Sequence, residues 1–253
     1  MLESENFVEV NIGTIPLIIS VPHGGTLEYE KIPKREKGIV GLDKATKELA
    51  KNFISCIIEM YCNKKNSLNK PSYIISKIHR NRIDFNRDEI EAYQPNSKLA
   101  QKIYQYYHYK LFKIINSNLT IFNKSLLIDI HGFEKSKRPA GFRAVEIVLG
   151  TSNLETISNE KISVKNRAKN IRGLIIKKCL DLEIPIAPER PRRKEYVLTG
   201  GYIIQKYGAS NIIGSQAMQI EFSDDIRIYD KELRKKVVCG LSESIVDFIC
   251  NFL

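Results

Sequence analysis

No stretch of this chain approaches the ~18 to 20 uninterrupted apolar residues that a membrane-spanning helix requires. Its first residues, Met1-Leu2-Glu3-Ser4-Glu5, are acidic where a secretory signal would be basic. The expectation is a cytoplasmic protein with no membrane partner. Cysteine is sparse: Cys56, Cys62, Cys179, Cys239 and Cys250 make an odd set with no Cys-x-x-Cys pair, so they read as reduced packing residues, neither disulfides nor metal ligands. Zinc-finger spacing, an RNP-like aromatic motif and a glycine-rich phosphate loop are all missing, which argues against the commonest nucleotide- and nucleic-acid-binding modules. Acidic side chains are the minority, 29 against 40 Lys and Arg, for a net charge of +11.

That basic excess defines the competing, non-enzymatic reading, a nucleic-acid-binding protein. Its best support is Lys165, Arg167, Lys169, Arg172, Lys177 and Lys178, followed by Arg190-Pro191-Arg192-Arg193-Lys194. Lysine is nevertheless dispersed along the whole chain, as on a solvated face. The arginines at 190–193, in a loop punctuated by Pro188 and Pro191, could instead border a pocket for an anion.

With 253 residues, 43% hydrophobic and 27% charged, the chain can bury one sizeable core, and a single domain over 1–253 is expected. Period-2 runs predict strands at 7–12, 15–21, 72–78, 126–130, 144–150 and 212–222, with a hairpin around Gly13-Thr14 and a short strand near 195–198. Helical periodicity places helices after Asp43, which reads as an N-cap, and at about 98–116, 164–182 and 230–252, with another starting at Thr199-Gly200-Gly201. Strands alternating with helices imply an α/β fold, a three-layer α/β/α sandwich around a mostly parallel, mixed sheet. The long loop at 22–41 follows the second strand, and loops at strand C-termini collect the active site in such sheets.

The chain has only four histidines: His23, His79, His108 and His131. His23 follows one apolar run and begins His23-Gly24-Gly25-Thr26-Leu27-Glu28; His131 closes another in Asp129-Ile130-His131. Two imidazoles and a carboxylate at the ends of buried strands suit an open catalytic zinc site, in which three protein ligands leave room for water. Gly24 and Gly25 remove side chains beside the first imidazole, so that metal and substrate can approach. The plainer alternative is two unrelated strand-end histidines bonded to backbone.

Between them, 79–88 reads His-Arg-Asn-Arg-Ile-Asp-Phe-Asn-Arg-Asp. Arginine grips carboxylates with a planar fork and asparagine adds a neutral donor. An anionic substrate is one occupant of such a loop; a surface salt-bridge knot is the other reading, against which Ile83 and Phe85 imply partial burial. In 216–222, Met218, Ile220 and Phe222 face one way and Gln219 and Glu221 the other. Glu221 is therefore placed either as a general base beside a metal-activated water or as a solvent-facing carboxylate.

In their order along the chain, these segments resemble the N-formylglutamate amidohydrolase family. The likeness runs from Val21-Pro22-His23-Gly24-Gly25 through Asp43, Thr46, Arg82-Ile83-Asp84-Phe85-Asn86-Arg87, Asp129-Ile130-His131, Leu149-Gly150-Thr151, Gly200-Gly201-Tyr202 and Tyr207-Gly208 to Gln219-Ile220-Glu221. The family looks like a branch of the zinc carboxypeptidase-like fold, together with phage poly-γ-glutamate hydrolases. The resemblance implies Zn2+ held by His23, Glu28 and His131, catalysis by Glu221, and an Asn86-Arg87 pair on the substrate carboxylate. Arg82, Arg143 and Tyr202 complete the expected substrate-binding set. One departure stands out: Gly132 follows the second histidine where family deformylases often carry serine. The expected activity is zinc-dependent hydrolysis of an amide bond in a small anionic N-acyl amino acid; the enzymatic alternative is a peptidase acting on acidic or γ-glutamyl chains.

Overall fold

In the computed structural model, which describes residues 4–138 and 144–252, seven strands form one mixed sheet. They are β1 (Val8–Asn11), β2 (Leu17–Val21), β3 (Ser72–Ser76), β4 (Ser125–Phe133), β5 (Ile147–Gly150), β6 (Ile186–Ala187) and β7 (Ser215–Ser223), in the order β1-β3-β2-β4-β7-β5-β6. The β3-β2-β4-β7 centre is parallel, as is β5 with β6. β1 runs antiparallel to β3, and β5 antiparallel to β7.

The helices are α1 (Thr46–Lys65), α2 (Glu89–Ala92), α3 (Lys98–Phe122), α4 (Ile171–Asp181), α5 (Tyr202–Tyr207) and α6 (Lys231–Phe252). Alternate strand residues point to opposite faces, so the sheet carries two cores. Ile19, Ile128, Ile130, Ile220 and Phe222 pack with Leu49 and Phe53 of α1, Ile175 of α4 and Leu241 of α6. On the other face Ile18, Leu127 and Ala217 meet Ile103, Tyr107 and Leu111 of α3 and Ile203 of α5. This is the expected three-layer α/β sandwich. Burying each large aliphatic side chain on these faces contributes about 1.5 to 3 kcal/mol. No helix among the described residues is long and apolar enough to cross a membrane.

Four local expectations change. The hairpin at Gly13 does not form, because β3 lies between β1 and β2. β2 is buried throughout and needs a parallel partner on each side, and a Cβ at Gly13 would come within 2.3 Å of the backbone at Lys70–Ser72. The segment 164–182 breaks: a 3-10 turn ends at Asn166, and Asn170 caps α4 by accepting from the Gly173 amide at 3.0 Å. Residues 195–198 are irregular, whereas β6 forms at Ile186–Ala187. Finally, Cys239 is exposed, unlike the buried Cys179.

Candidate metal centre

β2, β4 and β7 are adjacent in parallel, so their C-terminal ends open to one side. In this register His131 lies directly opposite Glu221, and Asp129 opposite Gln219. These four side chains share the α3-facing surface of the sheet, just where its apolar packing ends. His23 follows β2 by two residues and meets them there.

The two imidazoles are buried, 1% and 2% exposed, and their Nδ1 atoms face each other at 3.1 Å. The third member of the group is Asp43, whose Oδ2 lies 3.5 Å from His23 Nδ1 and 3.3 Å from His131 Nδ1. One ligand atom from each of the three lies within 4.8 Å of the others. Asp43 is therefore no helix cap. α1 starts behind Ala45, whose φ of 61° lies in the left-handed region, without a side-chain cap, and the Asp43 carboxylate turns inward to accept from the Gly132 amide at 3.1 Å.

Glu28 takes no part in this group. It accepts from Asn81 and from Arg82, each at 2.7 Å, and its side chain is 42% exposed. The cause is the path of the chain after His23. Gly25 and Leu27 bridge to His79 and Ile78, so the segment runs beside the extension of β3. A Cβ at Gly25 would meet the Lys77–Ile78 backbone at 2.3 to 2.6 Å. Close approach to that strand, rather than room for a metal, requires this glycine.

The outer nitrogens are equally constrained. His23 Nε2 lies 2.6 Å from Asp84 Oδ1, and His131 Nε2 lies 2.8 Å from Asp129 Oδ2. Ionised carboxylates only accept, so each imidazole donates Nε2–H outward and faces Asp43 with Nδ1, which donates to that carboxylate when protonated and would offer a lone pair to a metal ion. Asp84 is fully buried and also receives Arg80 Nε at 2.9 Å, the Asn86 amide at 3.0 Å and Arg35 Nη1 at 3.4 Å. Burial opposes its ionisation, but the charge and hydrogen bond of His23, then Arg80 and Arg35, outweigh it and hold the carboxyl well below its usual range. Asp43 follows the same balance: burial raises its pKa, and hydrogen bonds to His131 and His23 bring it far down. For His131, burial favours the neutral ring, yet Asp129 and then Asp43 lift its pKa to about 10.

The other expected residues separate into two groups. Arg82 is nearly buried and spends its donors on Glu28 and, at 2.5 Å, on the Ile32 carbonyl, away from the centre. Asn86 lines the cavity but is held within the scaffold: its Oδ1 accepts from the Ile203 amide at 2.8 Å and its Nδ2 lies 3.3 Å from His131 Nε2. Arg87, half-exposed, borders the cavity 3.9 Å from both Asp84 and Glu91. Tyr202 also borders it, its hydroxyl accepting from Lys206 at 3.0 Å. Glu221 accepts from Gln219 Nε2 at 2.9 Å and lies 3.5 Å from Arg138 Nη2. Arg143 lies outside the described residues. Arg190 to Arg193 are not among the residues that line the cavity; the Pro191 and Arg193 carbonyls accept from buried Arg172 at 3.1 and 2.7 Å.

The cavity itself measures about 690 Å3. Arg80, Arg87, Lys137, Arg138 and Arg227 line it together with Asp43, Asp88, Glu91, Glu134 and Glu221. Sequence reasoning missed Arg138 and Arg227; it read Asp84 only as a neutraliser of the neighbouring arginines, not as the partner of His23, and Arg80 only as a further substrate-binding arginine. Asp129 was legible, since Asp-x-His on a strand puts both side chains on one face.

No family profile matches the chain, and no curated protein matches it. Among solved structures, the N-formylglutamate amidohydrolase of Ralstonia eutropha superimposes with a TM-score of 0.66 at 12% identity, over 98% of this chain and 99% of that one. A gene product of Agrobacterium tumefaciens does so at 0.58 and 12% identity, over 99% and 96%. At such identities the likeness establishes the fold alone.

Proposed function

We propose that this chain is a zinc-dependent amidohydrolase acting on a small anionic N-acyl amino acid, with N-formylglutamate as the type of substrate. The observation that carries the reading is the convergence of His23 Nδ1, His131 Nδ1 and the Asp43 carboxylate, with both outer nitrogens on buried carboxylates. Two nitrogens and one oxygen, each imidazole oriented by a carboxylate, form a donor set that suits zinc with a position left for water. Asp43 takes the ligand role that the sequence resemblance gave to Glu28. Bound there, zinc would acidify the attacking water and draw electron density from the scissile carbonyl.

The protein's own groups supply the remainder. Glu221, opposite His131 in the sheet and oriented by Gln219, takes a proton from water and returns it to the leaving amine. Arg138 beside Glu221, and half-exposed Arg87, offer cationic donors to the substrate carboxylates and to charge developing on the carbonyl oxygen. A second reading, cleavage of acidic or γ-glutamyl chains, is favoured by a neighbouring hollow of about 520 Å3. It shares Arg87 and Glu91 with the first cavity and adds Arg35 and Lys37. Product analysis of the zinc-loaded protein with formylated and acetylated acidic amino acids, alongside glutamyl oligomers, separates the two. Free amine from the former alone supports the first reading, and no turnover of either class removes both.

A further inference from the structure

The space that a side chain at Gly132 would fill is taken by another residue. A Cβ built there would lie 2.3 Å from Arg227 Nε and 2.5 Å from its Cζ. Arg227 is 2% exposed and cannot step aside. Its Nε donates to the Phe222 carbonyl at 3.0 Å, its Nη2 to the Phe133 carbonyl at 2.8 Å, and its Nη1 to the Lys44 carbonyl.

Those three carbonyls belong to the segments that carry the site: Phe222 follows Glu221, Phe133 lies two residues beyond His131, and Lys44 follows Asp43. The residue sits on a single π-helical turn, Asp225–Tyr229, a geometry that recurs at functional sites. Arg234 of α6 backs the turn from behind, donating to the Ile226 carbonyl at 2.9 Å and the Arg227 carbonyl at 2.5 Å. Asp43 is the foremost of the carboxylates that favour the Arg227 charge against its burial.

We propose that Arg227 is a positioning residue of the metal centre, a guanidinium seated in the space that Gly132 leaves open and fixing the Asp43 loop against the ends of β4 and β7. Gly132 serves the arrangement twice. Its amide holds the Asp43 carboxylate, and its missing side chain admits the arginine that holds the next peptide. The inference rests on the metal reading above.

The test compares wild type with Arg227→Met, Arg227→Lys, Gly132→Ala and the Gly132→Ala/Arg227→Met pair. Two readouts are used: zinc affinity by chelator competition, and hydrogen exchange over residues 42–46 in metal-free protein. Arg227→Met should weaken zinc binding by roughly tenfold or more, in the range that outer partners of metal ligands command, and raise exchange at 42–46. Gly132→Ala should act in the same direction, and the pair should be no worse than Arg227→Met alone, because both changes disturb one contact. Lysine, which brings three donors but no planar fork, should restore part of the affinity. A purely structural arginine would lower the melting temperature and leave zinc affinity of the folded protein unchanged. That result, or additive effects in the pair, overturns the proposal. If Arg227→Met does not fold, Gly132→Ala and Arg227→Lys carry the comparison. If the wild type takes up no zinc, the functional reading fails, while unchanged exchange at 42–46 separately removes the role of Arg227.

Discussion

His23 and His131 present their Nδ1 atoms to each other at 3.1 Å, each imidazole pinned from behind by a buried carboxylate. With both Nε2–H groups donated to Asp84 and Asp129, two lone pairs and the Asp43 carboxylate converge on one point. Such an arrangement is stable only around a cation, a proton in the metal-free protein or a metal ion in the loaded one.

Asp84→Asn and Asp129→Asn should each weaken zinc binding by roughly 10 to 100-fold, since each removes the charge that orients one ligand. Chelator competition at fixed pH reads the effect, and an unchanged affinity in both variants would contradict it.

Asp43→Ala and Glu28→Gln should part company. The first removes a buried ligand and should abolish stoichiometric zinc; the second breaks a half-exposed pair with Arg82, should cost less than about 1 kcal/mol of stability, and should leave zinc in place. Metal content and thermal melting of the two variants decide between Asp43 and Glu28.

How much of this was legible in the sequence follows from which contacts are local. His23, His131 and Glu221 end or follow buried strands, and parallel neighbours must open on the same side, so three of the central groups could be placed from period-2 patterns. Asp129 follows from its i, i+2 spacing to His131. Asp43 looked like a helix cap because a carboxylate two or three residues before an apolar stripe usually is one. Only the left-handed turn at Ala45 and the long-range amide of Gly132 redirect it. Glu28 has the right spacing from His23, but spacing alone does not reveal that residues 25–27 run alongside β3. Arg82 and Arg87 look equivalent in sequence, yet one turns to Glu28 and the other to the cavity. Arg227 is more than ninety positions away from Gly132, so no local pattern joins them.

His108 provides a test of the α3 layer. Its ring is buried against Tyr104, Tyr107, Tyr202 and Tyr207 with Lys206 nearby. Burial, then the Lys206 charge, pushes its pKa down from 6.5 to about 3. The folded state therefore holds it neutral while the unfolded chain protonates near 6.5. Its contribution to stability is full above that pH and is lost as pH falls toward about 3, with a slope of up to ~1.4 kcal/mol per pH unit. Urea titrations between pH 7 and 4 should show a shallower acid decline in His108→Gln than in wild type; parallel declines would refute the assignment.

Arg172 and Glu195 form a buried ion pair at 3.0 Å, their side chains 1% and 0% exposed. Arg172→Met leaves a buried carboxylate to the Thr151 and Asn153 amides and the Thr151 hydroxyl, with no cation beside it, and should destabilise the fold by about 3 to 5 kcal/mol. Equilibrium denaturation measures it, and a loss below about 1 kcal/mol would show that the pair does not anchor the loop.

Glu221→Gln should bind zinc as the wild type does and lose roughly 10^2 to 10^4-fold in turnover on whichever N-acyl amino acid the screen identifies. Full activity in this variant would remove Glu221 from the chemistry.

The most direct measurement is the metal content of the purified, zinc-equilibrated protein, taken beside His23→Ala/His131→Ala and Asp43→Ala variants whose circular dichroism shows them folded. The account predicts about one zinc per chain in the wild type and none in either variant. A wild type that holds no metal, or an Asp43→Ala protein that holds it as well as the wild type, would contradict it.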